Sequence, residues 1–84
     1  MLVQIYNAKF KSYNNGYYTF NVEGELITFE EINSKILQLY DLKNDPLFSN
    51  CLFNIEYSEI IIEDEDDFVI FRIENLELLK RINQ

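Results

Sequence analysis

Ile27-Thr28-Phe29-Glu30-Glu31-Ile32 decides the reading of the fold. Thr28 followed three residues later by Glu31 is the pattern of a capping box. In it the Thr hydroxyl accepts from the Glu31 amide and the Glu31 carboxylate accepts from the Thr28 amide. Ile27 before the cap and Ile32 after it suit a hydrophobic staple. Glu30 and Glu31 suit the positive end of a helix dipole. Phe29, Ile32, Ile36, Leu39 and Tyr40 then recur at helical spacing, Lys43 favours the C-terminal end, and Asn44-Asp45-Pro46 ends the run. The stretch predicts one main helix from Thr28 to about Leu42.

Strand patterns lie on either side. Residues 2–12 and 17–22 flank Asn14-Asn15-Gly16, a hairpin signal. A two-residue loop at Asn15-Gly16 pairs Lys11 with Phe20 and mixes the faces. A three-residue loop at 14–16 pairs Phe10 with Phe20 and gathers Tyr6, Ala8, Phe10, Tyr18, Phe20 and Val22 on one side, which favours the longer loop. Beyond the helix, Cys51, Phe53, Ile55 and Tyr57 alternate with Leu52, Asn54 and Glu56, the pattern of a strand with one buried face. Ile60-Ile61-Ile62 and the run Phe68 to Ile73 read as a hairpin around Glu63-Asp64-Glu65-Asp66-Asp67. The second of these strands, apolar on both faces apart from Arg72, is expected to be central. Leu76 to Ile82 reads as a short helix that covers the second face or shields a sheet edge. The expected class is α+β: a mixed sheet from an N-terminal hairpin and C-terminal strands, packed on one main helix, with a short C-terminal helix. Residues 1–84 make one domain.

Composition narrows the chemistry. Thirteen aromatic rings among 84 residues supply core area that so short a chain needs. There is no His and a single Cys, so Cys/His zinc clusters and disulfide frameworks are excluded. The lack of His also removes the commonest general base. Cys51 lies on the inward parity of a strand with no basic neighbour and reads as core. Two isolated glycines build no phosphate loop. The expectation is a protein that is not an enzyme and needs no cofactor. Glu63 to Asp67 lacks the glycine and the spacing of a calcium loop, so no metal site is expected there. No basic n-region or long apolar run opens the chain, and no stretch approaches a bilayer span, so the expected compartment is the cytoplasm.

Charge is the remaining lead. The net charge is −8, and it is unevenly spread. Residues 1–22 hold Lys9 and Lys11 and no acid, whereas all fifteen acids lie in residues 23–84. A body this acidic repels nucleic acid and anionic lipid and attracts basic proteins. Solubility alone also accounts for such a charge. The candidate partner-binding acids are Glu30, Glu31, Glu63, Asp64, Glu65, Asp66, Asp67, Glu74 and Glu77. Tyr13 and Tyr17 flank the first hairpin turn and are candidate aromatic anchors, or else pack across the hairpin on their neighbours. The expected partner is a basic protein that itself binds nucleic acid, and the expected state is a monomer or weak homo-oligomer.

Two resemblances accompany this reading. The element order resembles a ubiquitin-like β-grasp. Within it, Ile27-Thr28-Phe29-Glu30-Glu31, Glu63-Asp64-Glu65-Asp66-Asp67-Phe68-Val69-Ile70 and Glu74-Asn75-Leu76-Glu77 resemble the Phox/Bem-type interaction domain. That resemblance implies a scaffold in which Asp64, Asp66, Asp67 and Glu74 pair with a basic cluster, here Lys9 or Lys11, on another copy or partner. By size, acidity and the Ile- and Asn-rich usage of a low-GC genome, the chain also resembles phage and mobile-element proteins of the anti-CRISPR or DNA-mimic type. These block defence nucleases. An immunity protein that neutralises a basic toxin shares the same physics.

Overall fold

A computed structural model describes residues 2–62 and 68–81. The chain is mostly strand. β1 (Val3–Asn14), β2 (Tyr17–Val22), β3 (Glu25–Phe29) and β4 (Glu31–Ile32) precede a six-residue helix α1 (Ser34–Leu39) and a 3-10 turn (Pro46–Phe48). β5 (Leu52–Ile62) and β6 (Phe68–Lys80) complete it. The expected α+β arrangement of a sheet on one main helix is therefore overturned, and the β-grasp-like layout goes with it. Thr28 and Phe29 end β3, with Thr28 opposite Thr19 and Ile27 opposite Phe20. Glu31 and Ile32 pair in parallel with Arg72 and Ile73. Ile27, Thr28 and Phe29 suit a strand as readily as a helix start, and burial of the Phe29 ring against Phe20 decides between them. The helix begins later, where the Asn33 Oδ1 accepts from the Lys35 N–H at 3.1 Å. Tyr40 ends it in an extended conformation. Its ring stands edge-on to Phe48 and Phe53.

The expected C-terminal helix, Leu76 to Ile82, is overturned as well, as far as its residues are described. Leu76, Leu78 and Lys80 belong to β6, opposite Ile55, Phe53 and Leu52. Leu-Glu-Leu-Leu satisfies both periods, and long-range pairing chooses the strand. A register shift between Ile73 and Asn75 flips the parity, so that Ile73, Leu76 and Leu78 all reach the core.

The six strands run in the order β3-β2-β1-β5-β6-β4. Its two ends, β3 and β4, are one stretch of chain separated only by Glu30, so the sheet curls back on itself. Glu30 makes the join: its N–H donates to the Phe71 carbonyl at 3.1 Å, and its Oε1 accepts from the Phe71 N–H at 2.8 Å. Taking β3 and β4 as one bent strand gives a five-stranded, partly open barrel with the helix between its third and fourth strands. The backbone path resembles small Greek-key barrels of the OB type, a likeness of route that carries no function by itself.

β1 shows how one strand wraps the barrel. The first turn is Asn15-Gly16, both residues at positive φ, with Asn14 opposite Tyr17. The expected three-residue loop is thus replaced by a two-residue one. Phe10 still meets Phe20, because a bulge between Phe10 and Ser12 leaves Lys11 unpaired. A second irregularity between Ile5 and Ala8, with Asn7 at positive φ, turns Tyr6 outward. Tyr6 is consequently 62% exposed rather than in the core. Val3 and Ile5 are half-buried, as is Tyr13, while Ala8 and Phe10 are buried, because each bulge shifts the inward parity by one.

Inside the barrel Phe20, Phe29, Phe53, Ile55, Ile73 and Cys51 are fully enclosed. Phe20 stands edge-on to Phe29 at 5.8 Å and to Phe53 at 6.2 Å between centroids. Such pairs contribute about 0.5–1.5 kcal/mol each beyond area burial. Ile36, Leu42 and Phe48 join the same cluster from the segment between β4 and β5. Cys51 lies at the core position that its parity predicts, its thiol donating to the Leu47 carbonyl at 3.2 Å.

Candidate protein-binding surface

β5 outruns its neighbour. β1 pairs with it from Lys9↔Leu52 only as far as Val3↔Tyr57, whereas β6 follows it to Ile62↔Phe68. On the other side β4 meets β6 at Arg72 and Ile73, and Glu30 meets it at Phe71. The last three rungs, Ile60↔Ile70, Ile61↔Val69 and Ile62↔Phe68, therefore have no third strand among the described residues. They form a two-stranded ribbon projecting from the barrel, built of residues with strong strand preference. Ile61 and Val69 lie on the face that continues from Tyr57 and Ile73. Ile60, Ile62, Phe68 and Ile70 lie on the opposite face, where only Ile70 is buried. Ile61 is 63% and Phe68 56% exposed. A ribbon apolar on both faces is a poor structure in water by itself, and large exposed apolar residues grouped together mark contact surfaces. The five residues that join Ile62 to Phe68 in the sequence are all acids.

The sequence pattern placed this segment in a strand with cover on both sides. β6 does lie between β5 and β4, but Phe68 and Val69 lie beyond the cover. The missed signal is length: a hairpin of eleven and thirteen residues beside β1, which spends two of its twelve residues on bulges, must overhang.

The candidate acids fall into different settings. Glu63, Asp64, Glu65, Asp66 and Asp67 lie outside the described residues. Glu30 is half-buried in the seam that closes the barrel. Glu31 is exposed on β4. Together with Tyr13, Tyr18 and Lys43 these two line a shallow depression of about 370 Å³. Tyr13 packs on Tyr18 with centroids 4.8 Å apart, and Lys43 Nζ stands 5.5 Å from its ring centroid. The packed alternative for Tyr13 is thus realised, while Tyr17 is exposed beside the turn. Burial pushes the Tyr18 phenol up to about 12, with smaller contributions from Tyr13 and Asp41. Glu74 accepts from the Ser58 hydroxyl at 2.6 Å, and the Arg72 Nε lies 3.6 Å away. Glu77 accepts from Asn54 at 3.1 Å. Glu56, absent from the sequence-based set, accepts from Gln4 and Asn75 at 2.6 Å each. Gln4, Tyr6, Asn54, Glu56, Asn75 and Glu77 line a second depression of about 300 Å³ on the outer face of β1, β5 and β6. No group of three or more potential metal ligands comes together among the described residues.

Lysines gather at the first residue of β5. Lys9, Leu52 and Lys80 are aligned across β1, β5 and β6 at its first residue. The Arg81 guanidinium is 5.4 Å from the Phe48 ring centroid. The ribbon end, Ile62, is ten residues away, about 33 Å along an extended strand.

No family model matches the chain, and no curated protein and no solved structure matches it either.

Proposed function

We propose that this is a small acidic inhibitor that docks on a basic protein and covers a nucleic-acid-binding surface there, in the manner of anti-CRISPR or DNA-mimic proteins of phage and mobile elements, acting in the cytoplasm. One observation carries the reading. The β5–β6 ribbon exposes Ile61, Ile62, Phe68 and Val69 beyond the barrel, at the point where the sequence supplies five consecutive acids. Carboxylates take the place of phosphates against a partner's Lys and Arg, and steer encounter over long range. The apolar side chains supply the desolvated centre that holds the complex. Among the described residues no helix is long and apolar enough to cross a membrane.

The test is capture of partners from a native host lysate at low and high salt, followed by competition with DNA and RNA. Capture is expected to weaken as salt rises and to be lost when the partner is preloaded with nucleic acid. A partner that binds equally well when loaded refutes the mimicry. Direct binding of single-stranded DNA to the protein itself is expected to be undetectable, despite the barrel's backbone path.

The lysines at the first residue of β5, set against the five acids that follow Ile62 in the sequence, favour one second reading: a scaffold in which those acids of one copy meet Lys9 and Lys11 of the next. Head-to-tail contacts of this kind build open chains. Growth in size with concentration, abolished by combining Lys9→Ala with Lys11→Ala, supports the scaffold. A strict monomer supports the inhibitor.

A further inference from the structure

Tyr18 has a buried ring and an unspent hydroxyl. It stands on β2 between Tyr13 of β1 and Phe29 of β3, the two residues opposite it. Phe29 leads directly into Glu30 and Glu31, and Lys43 reaches the Tyr13 ring from the segment after α1. These side chains, with Ser34, line the depression of about 370 Å³. Tyr18 is only 3% exposed. Every enclosed side-chain nitrogen and oxygen among the described residues has a hydrogen-bond partner. The Tyr18 oxygen has none there, so it opens into the depression. Burial pushes this phenol up to about 12, so it is a neutral hydroxyl able to accept from an incoming N–H. The carboxylates beside it are also unspent. Glu30 uses Oε1 on the Phe71 N–H, and Glu31 is exposed with no hydrogen-bond or ion-pair partner among the described residues. Lys43 does not neutralise them. Its ammonium stands 5.5 Å from the Tyr13 centroid and makes no ion pair among the described residues. Asp41 adds a third negative charge that acts on Tyr18.

Resting on the reading of the chain as an inhibitor of a basic protein, we propose that this depression receives one arginine side chain of that partner, held by the Glu31 carboxylate, the Tyr18 hydroxyl and the Tyr13 ring. Charge complementarity selects a cation: three carboxylates stand against one ammonium. The position of Lys43 shows that the Tyr13 ring already serves a cation. A guanidinium suits the set better than an ammonium does. Its planar fork can lie on a ring while its N–H groups donate sideways to a carboxylate and a hydroxyl. Lys43, a point charge on a flexible stem, is the occupant it displaces. An anion is the weaker occupant, because Lys43 and Ser34 must hold it against Glu30, Glu31 and Asp41.

The probe is a capped Gly-Arg-Gly peptide titrated against the whole protein, with amide chemical shifts followed by NMR. Saturable shifts are expected at Tyr13, Tyr18, Glu31 and Lys43, and a capped Gly-Lys-Gly peptide is expected to bind more weakly. Tyr18→Phe keeps the ring and removes only the unspent hydroxyl. Glu31→Gln keeps the length and removes the charge. Each is expected to weaken the arginine peptide about fivefold or more. Lys43→Ala removes the competing cation and is expected to leave binding as tight or tighter. Slow exchange of the Phe71 amide shows that a variant keeps the barrel closed. Should a variant lose that protection, the comparison of arginine peptide, lysine peptide and inorganic phosphate on the wild type decides. No saturable shift with the arginine peptide, equal affinity for the lysine peptide, weaker binding in Lys43→Ala, or the same amides moved by phosphate each overturns the proposal. So does unchanged affinity in folded Tyr18→Phe or Glu31→Gln. Any of these leaves the inhibitor reading standing if salt-sensitive, nucleic-acid-competitive capture of a basic partner persists. Loss of that capture with arginine binding intact overturns the inhibitor reading alone.

Discussion

Glu30 is the residue on which closure of the barrel can be tested. Strand pairing passes from β3 to β4 across this one position. There the carboxylate accepts the Phe71 N–H at 2.8 Å while the Glu30 N–H donates to the Phe71 carbonyl at 3.1 Å. Glu30→Ala leaves the main-chain bond but strips the Phe71 N–H of its acceptor in a half-buried seam. A hydrogen bond to a charged acceptor is worth about 1.5–3 kcal/mol, and partial access of water places the expected loss at about 2 kcal/mol. For a domain of this length each kcal/mol moves the midpoint by about 4–8 °C, so a fall of about 10 °C is expected. Glu30→Gln keeps an acceptor oxygen at the same reach and is expected to lose about half as much. Urea melts of the three proteins give the energies, and exchange of the Phe71 amide localises them: fast in the Ala variant, slow in the other two. A Glu30→Ala protein within about 0.5 kcal/mol of wild type, with Phe71 exchange unchanged, refutes the closure argument. The same pair of variants separates the residue's two assigned roles, because a partner-binding carboxylate tolerates Gln no better than Ala.

Phe20→Ala, at the junction of the edge-on pairs with Phe29 and Phe53, is expected to cost about 3–5 kcal/mol, measured by urea unfolding. Gly16→Ala puts a side chain at φ +89° with nothing within 4 Å to clash, so its cost is that of the backbone alone, about 1–2 kcal/mol, read from the same melts. Tyr18 is raised from 10 to about 12 by burial first, then by Tyr13 and Asp41. The folded state thus holds this proton more tightly than the unfolded state. Its contribution is complete below pH 10 and is lost as pH rises toward 12, up to about 2–3 kcal/mol. Tyr18→Phe is expected to flatten the fall in stability over that window.

The strands with one buried face were legible because a single parity served the whole run: Cys51, Phe53 and Ile55 are all fully enclosed. β1 was legible only in part, because its inward parity changes twice. Lys11 and the Tyr6–Asn7 step carry no local mark of a bulge beyond the mixing of faces they relieve. The register Phe10↔Phe20 was right for a reason that differs from the true one. The loop is short, and the bulge restores the pairing. The two helices were over-read for one physical cause. Thr-Phe-Glu-Glu and Leu-Glu-Leu-Leu are locally compatible with either state, and the deciding contacts come from other strands: Phe20, Phe71 and Arg72 in the first case, and Ile55 and Phe53 in the second. Among the site residues, Glu30, Glu74 and Glu77 were visible as charges, but their hydrogen bonds to Phe71, Ser58 and Asn54 were not.

The position of the acids relative to the apolar ribbon bears on specificity. An apolar two-stranded end with an open edge is a hazard to any protein that carries it, since identical copies can pair edge to edge. Residues Ile60 to Ile62 and Phe68 to Ile70 would make such an end. In the sequence the two apolar runs are joined by charge of one sign alone, with Glu59 beside them. Charge of one sign keeps such an end soluble. One sign does something more: it opposes every copy of the same chain and every other acidic surface. Discrimination then comes as much from what the carboxylates repel as from what they attract. On this reading the net charge of −8 and the exposed isoleucines are two halves of one device, and neutralising the acids is expected to cost affinity for the cationic partner together with selectivity, read as weaker capture that no longer depends on salt.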